Sequence, residues 1–91
     1  MKIIEIKLVD TKSDSVKARA DIHFEGFTLK GFKVLQDPKT HKEYVTPPSY
    51  RAGPYWRPLF ATDTKEDWQE IQKEVLKQYN IQQMQEVIDE Q

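Results

Sequence analysis

The residues with most chemistry to offer lie in one run, TPPSYRAGPYWRP, residues 46–58. It sets Tyr50, Arg51, Tyr55, Trp56 and Arg57 among prolines and Gly53. Guanidinium groups neutralise phosphates and stack on bases, and aromatic rings give unpaired bases a platform. The same rings could instead close the end of a core while the arginines stay in water. The prolines exclude a helix and interrupt any central strand, so the run is loop or sheet edge. Trp56 is expected in the core, and Arg51 and Arg57, with Tyr50 and Tyr55, at an interface.

A second basic set lies further upstream. Lys7, Lys17, Arg19, Lys30 and Lys33 fall on the polar side of alternating segments and could line one sheet face. The alternative is an ordinary solvated face whose charges guard the sheet edges. Lys65 is the basic residue nearest the start of the C-terminal segment.

Other chemistries find little support. There is no cysteine, so there is no disulfide framework and no thiolate site. His23 and His41 are far apart and have no partners at ligand spacing, so no metal is expected and both read as surface residues. Ser13, Ser15 and Ser49 lack a nucleophile-elbow context, and no glycine-rich phosphate loop occurs. The expectation is a non-enzymatic protein without cofactor. "MKIIEIKLVD" has no apolar run of signal-peptide length, and no segment approaches a membrane span. A cytoplasmic location is therefore expected.

With 91 residues the chain makes one small domain, 1–91. Its net charge of -1 conceals a division. Residues 1–61 sum to +4 and residues 62–91 to −5. A basic body carries an acidic C-terminal segment, and such asymmetry points towards a polyanionic partner for the body.

The elements that must position these residues follow from periodicity. Residues 1–62 read as sheet. In 2–9, Ile4, Ile6 and Leu8 alternate with Glu5 and Lys7. Residues 10–15, DTKSDS, are a polar turn. In 16–24, Val16, Ala18, Ala20, Ile22 and Phe24 face one way. Glu25-Gly26 makes a two-residue hairpin turn that pairs Phe24 with Phe27 and Ile22 with Leu29. Beyond it the apolar phase moves to Phe32 and Val34, which requires one extra residue, a bulge at Gly31. Residues 36–42 form a second turn, opened by Asp37-Pro38. EYVT (43–46) and YWRPLF (55–60) are expected to pair, with the arginine run as their long connection. That gives an antiparallel sheet of about five strands.

Residues 63–79 form the helix. Asp63 or Thr64 caps it, with the Asp63–Glu66 pair resembling a capping box more closely. Trp68, Ile71, Val75, Leu76 and Tyr79 make an apolar stripe that covers one sheet face. Ile81, Met84 and Ile88 fall on the opposite side of any continuous helix, so 80–91 is a tail or a helix extension. Ile3 and Val9, and Phe27 with Phe32, put apolar side chains on both faces of their strands. A homodimer through the sheet is expected from that surplus.

Taken in order, Tyr44-Val45, Pro48-Ser49-Tyr50-Arg51, Trp56-Arg57 and Asp63-Thr64 resemble the motifs of the septation protein SpoVG (stage V sporulation protein G) family over residues 3–80. The resemblance implies a small dimeric α+β fold and a regulatory nucleic-acid-binding function. Tyr50 stands where that family has its first basic residue after Pro-Ser. Lys65 alone remains of the basic residues that follow Asp-Thr.

Overall fold

The computed structural model describes residues 2–11 and 15–89. Residues 12–14 of the polar turn and the side chain of Ile88 lie outside the described residues. The chain forms β1 (Ile3–Asp10), β2 (Val16–Phe24), β3 (Phe27–Gln36), β4 (Glu43–Thr46), β5 (Ser49–Ala52), β6 (Tyr55–Pro58) and α1 (Lys65–Asp89). β1 to β4 form an antiparallel sheet in sequence order, and β5 and β6 form a separate two-stranded ribbon. The α+β architecture is the one the periodicity predicts, but the arginine run is not a connection. It is a hairpin of its own: β4 pairs with β3, and β6 pairs with β5. Gly53, at φ +62°, followed by Pro54 makes the tight turn that lets it close.

The β2–β3 hairpin turns at Glu25-Gly26, with Gly26 at φ +96°. Phe24 pairs with Phe27 and Ile22 with Leu29, whereas Ala20 pairs with Phe32. One residue on β2, Asp21, thus opposes two on β3, and the extra residue falls at Lys30-Gly31. Gly31 has φ +102°, and a Cβ there would lie 3.7 Å from Pro48 Cβ, an ordinary contact. The obstacle to a side chain is the backbone angle, which a β-branched residue tolerates worst. Gly31→Val is therefore expected to destabilise by more than about 1 kcal/mol, lowering Tm by about 4–8 °C or more. An unchanged thermal melt would mean that the bulge does not need glycine.

Two more bulges refine the expected faces. One between Ile3 and Glu5 sets Ile3 opposite Phe24 and leaves Ile4 53% exposed, so the inward residues of β1 are Ile3, Ile6 and Leu8 rather than Ile4, Ile6 and Leu8. Another, between Val16 and Ala18, places Val16 beside Leu35 while Ala18 stays opposite Val34. Val16 thereby leaves the face of Ala18, Ala20, Ile22 and Phe24. The bulges redistribute the expected two-sided apolar surplus: Val9 and Phe27 stay exposed, and Ile4 joins them. Ile3 packs against the core and Phe32 is fully buried in it, while Phe27 stacks on Phe24 at 5.0 Å.

The β3–β4 turn is held by Asp37, whose Oδ1 accepts the amides of Lys39 and Thr40 at 2.8 and 3.2 Å. His41 completes it at φ 60° and is exposed.

One helix covers one sheet face. Thr64 is its cap, not Asp63: Thr64 Oγ1 accepts the Asp67 amide at 3.2 Å. Glu66 and Asp67 sit in the first turn, where the helix dipole favours them. Ile71, Val75 and Tyr79, each one turn apart, bury against Ala18, Ala20, Ile22, Phe24, Phe32, Val34 and Val45. The small Ala18 and Ala20 leave room on β2 for these larger helix side chains. At one end the core is aromatic: Phe60 lies 5.9 Å from Phe24 and 5.4 Å from Phe32, and Trp68 stacks near Phe32 at 6.5 Å. The helix passes Asn80 without a break, so 80–89 is an extension, with Ile81 and Met84 exposed. It is not long and apolar enough to cross a membrane.

Candidate nucleic-acid interface

The β5–β6 ribbon is built from residues that the core does not take. Ser49 pairs with Pro58, Tyr50 with Arg57, Arg51 with Trp56 and Ala52 with Tyr55. Because side chains alternate along a strand, Tyr50, Tyr55 and Arg57 share one face, and Arg51 and Trp56 share the other. Each face therefore joins a guanidinium to at least one ring. Tyr55 and Trp56 are 67% and 66% exposed, and Tyr50, Arg51 and Arg57 are exposed as well.

Trp56 is thus the clear departure from the sequence expectation. It is not in the core; Phe60 and Trp68 close that end of the sheet instead. The proline-flanked register explains why. Pro48 is buried against Gly31, and Leu59 N–H donates to the Pro48 carbonyl at 2.7 Å, tying the base of the ribbon to the domain. Everything between those anchors projects outward. Arg51 Nε donates to the Gly53 carbonyl at 3.1 Å, which holds that guanidinium near the turn.

A two-stranded ribbon that buries nothing is marginal by itself in water. This one is closed by the Gly53-Pro54 turn and tied down at its base, and it carries its rings and cations outward.

The other sequence-predicted residues lie apart from the ribbon. Lys17 and Arg19 are on β2 in the four-stranded sheet, Lys17 half-buried at the bulge and Arg19 exposed. Arg19 pairs with Lys33 across β2 and β3. Lys65 opens α1 and lines a groove of about 410 Å³ with Pro47, Pro58, Phe60 and Trp68. The structure therefore unites Tyr50, Arg51, Tyr55 and Arg57 and leaves Lys17, Arg19 and Lys65 on other surfaces. His23 is exposed, with Nδ1 3.3 Å from Thr28 Oγ1.

Two further exposed residues lie outside the set that the sequence points to. Leu59, 65% exposed, continues the strand pattern YWRPLF and so looks like an inward residue. Tyr44, 42% exposed, stands opposite Leu35 on the uncovered sheet face. Its alternation with the buried Val45 was the available signal. Among the described residues, no group of three or more His, Asp or Glu is placed to hold a metal. Neither the protein-family models nor the curated proteins give a match to this chain.

Proposed function

We propose that this chain is a non-enzymatic, nucleic-acid-binding regulatory protein that contacts phosphates and bases through the β5–β6 ribbon. One observation carries the reading: every arginine and ring of the ribbon is in solvent, paired across strands so that each face offers charge beside a π-surface. The order of motifs shared with the SpoVG family supports it, as does the division of charge between body and helix. The direct test is binding of labelled single- and double-stranded oligonucleotides across a salt series. Binding that weakens linearly in log salt is expected. No binding at low salt would remove the reading.

A second reading, a protein-interaction module, is favoured by Leu59. It has neither charge nor ring and offers nucleic acid little, yet it stands 65% exposed at the base of the ribbon. Exposed apolar side chains beside Trp, Tyr and Arg are the composition of protein interfaces. We take the partner to be a second copy of the chain. Light scattering at micromolar concentration should give about twice the monomer mass, and Leu59→Asp should return it to monomer. Removal of residues 81–91 should leave the dimer intact. A monomeric wild type would end the dimer proposal, and a truncated chain that dissociates would move the contact to the Ile81–Met84 side of the helix.

A further inference from the structure

Among the described residues, the face of the four-stranded sheet opposite α1 is left open, with Lys7, Val9, Arg19, Lys30 and Tyr44 exposed on it. Cross-strand register orders its side chains into rows. One row runs Val9, Arg19, Lys33, Thr46. Beside it lie Lys7, Asp21 and Lys30 on one side, and Val16, Leu35 and Tyr44 on the other. Among the described residues this face sets Lys7, Arg19, Lys30 and Lys33 against two carboxylates, Glu5 and Asp21. Glu5 lies at the far end opposite His23, and Asp21 shares clefts with Lys7, Arg19 and Lys30. Arg19 and Lys33 stand directly opposite each other, a like-charge pair that costs stability and that a bound phosphate would relieve. Glu66, Asp67, Glu70 and Glu74 of α1 lie on the other side of the sheet from this basic face.

We propose that this open face binds a single-stranded nucleic acid, with phosphates on the Arg19–Lys33 pair and a base stacked on Tyr44. The proposal rests on the nucleic-acid reading of the ribbon and names the form of the ligand. A duplex keeps its bases stacked inside and offers a convex surface of phosphates. A sheet about 14 Å across from β1 to β4 meets such a surface along a narrow line only. An unpaired strand can lie flat, giving phosphates to the central cations and bases to exposed rings. The strand would continue onto the ribbon: Thr46 ends the Arg19–Lys33 row, and Ser49 begins β5 three residues later.

The test compares the wild type with Arg19→Gln/Lys33→Gln, Tyr44→Ala and Arg51→Ala/Arg57→Ala, using one oligonucleotide as a single strand and as its duplex. The wild type should prefer the single strand. The Arg19/Lys33 variant should reduce the slope of log K against log salt by about 1.4 units, at about 0.7 per phosphate contact. Its Tm should equal or exceed that of the wild type, because a like-charge pair has been removed. Tyr44→Ala should weaken binding about tenfold or more with the slope unchanged, since stacking releases no counterions. Wild-type affinity and slope in both sheet variants, with binding lost in the Arg51/Arg57 variant, would overturn the sheet-face proposal and leave the ribbon reading standing. Tighter binding of the duplex would overturn it also. Absence of wild-type binding to either form would remove both.

Discussion

Replacing Arg51 and Arg57 with alanine should lower the salt dependence of nucleic-acid binding by about 1.4 to 1.8 units of log K per log salt. The range follows from two phosphate contacts, each releasing about 0.7 counterions from a single strand or about 0.9 from a duplex. The geometry makes the pair a clean test. Arg51 and Arg57 occupy opposite faces of the β5–β6 ribbon, both are exposed, and Arg51's hydrogen bond is to the Gly53 carbonyl in its own turn. Removing either side chain leaves the core intact, so a change in affinity reports the interface and not the fold. The single variants sharpen the outcome. If both faces touch the ligand, each single change should account for about half of the slope. If only one face does, the whole change should fall on one arginine, and the other ribbon face becomes available to the second copy of the chain. A slope unchanged in the double variant would exclude the ribbon as the phosphate contact.

The parts of this fold that were legible in the sequence are those where the hydrophobic pattern had one solution. In β2 and β3, Phe24, Ile22 and Leu29 fix the register from a two-residue turn. The move of the apolar phase to Phe32 and Val34 then leaves no choice but an extra residue near Gly31. The bulges at Ile4 and Lys17 were not legible, because adjacent apolar residues in IIEI satisfy either phase, and VKA can begin its alternation on either side. Cap choice was ambiguous for a similar reason. Asp63 and Thr64 each have a carboxylate three residues on, and only the backbone's approach to the helix decides which oxygen meets an amide. The ribbon is the part least legible in the sequence. Prolines erase the period-2 signal over residues 46–58, so YWRPLF looks like the partner of EYVT. Trp56 then followed the general cost of exposing a large ring into a core that has no place for it. Arg51, Arg57, Tyr50 and Tyr55 were nonetheless read as a group, because their types, unlike their pairing, do not depend on register.

That misplacement of Trp56 sets up the other large effect, a contrast between two aromatic residues. Phe32 is fully buried, packed on Phe60 and Trp68 beneath the helix, whereas Trp56 is 66% exposed. Phe32→Ala should cost about 3–5 kcal/mol through lost transfer energy and an unfilled cavity. In a domain whose total stability is only about 5–15 kcal/mol, that lowers Tm by about 12 °C or more and can leave the chain largely unfolded. Trp56→Ala should change stability by no more than about 0.5 kcal/mol, because its ring is mostly in solvent and is no part of the core cluster. The same change should weaken nucleic-acid binding by about 1–3 kcal/mol, the worth of one base stacked on a ring. Thermal melts of both variants decide the structural half, and oligonucleotide titration of the Trp56 variant decides the functional half. Were Trp56→Ala to melt as low as Phe32→Ala, the ring would belong to the core as the sequence pattern suggested, and the ribbon would be a lid on the domain. A wild-type melt with wild-type affinity would show instead that the exposed ring is there for a protein surface, and Leu59 beside it would mark where that surface lies.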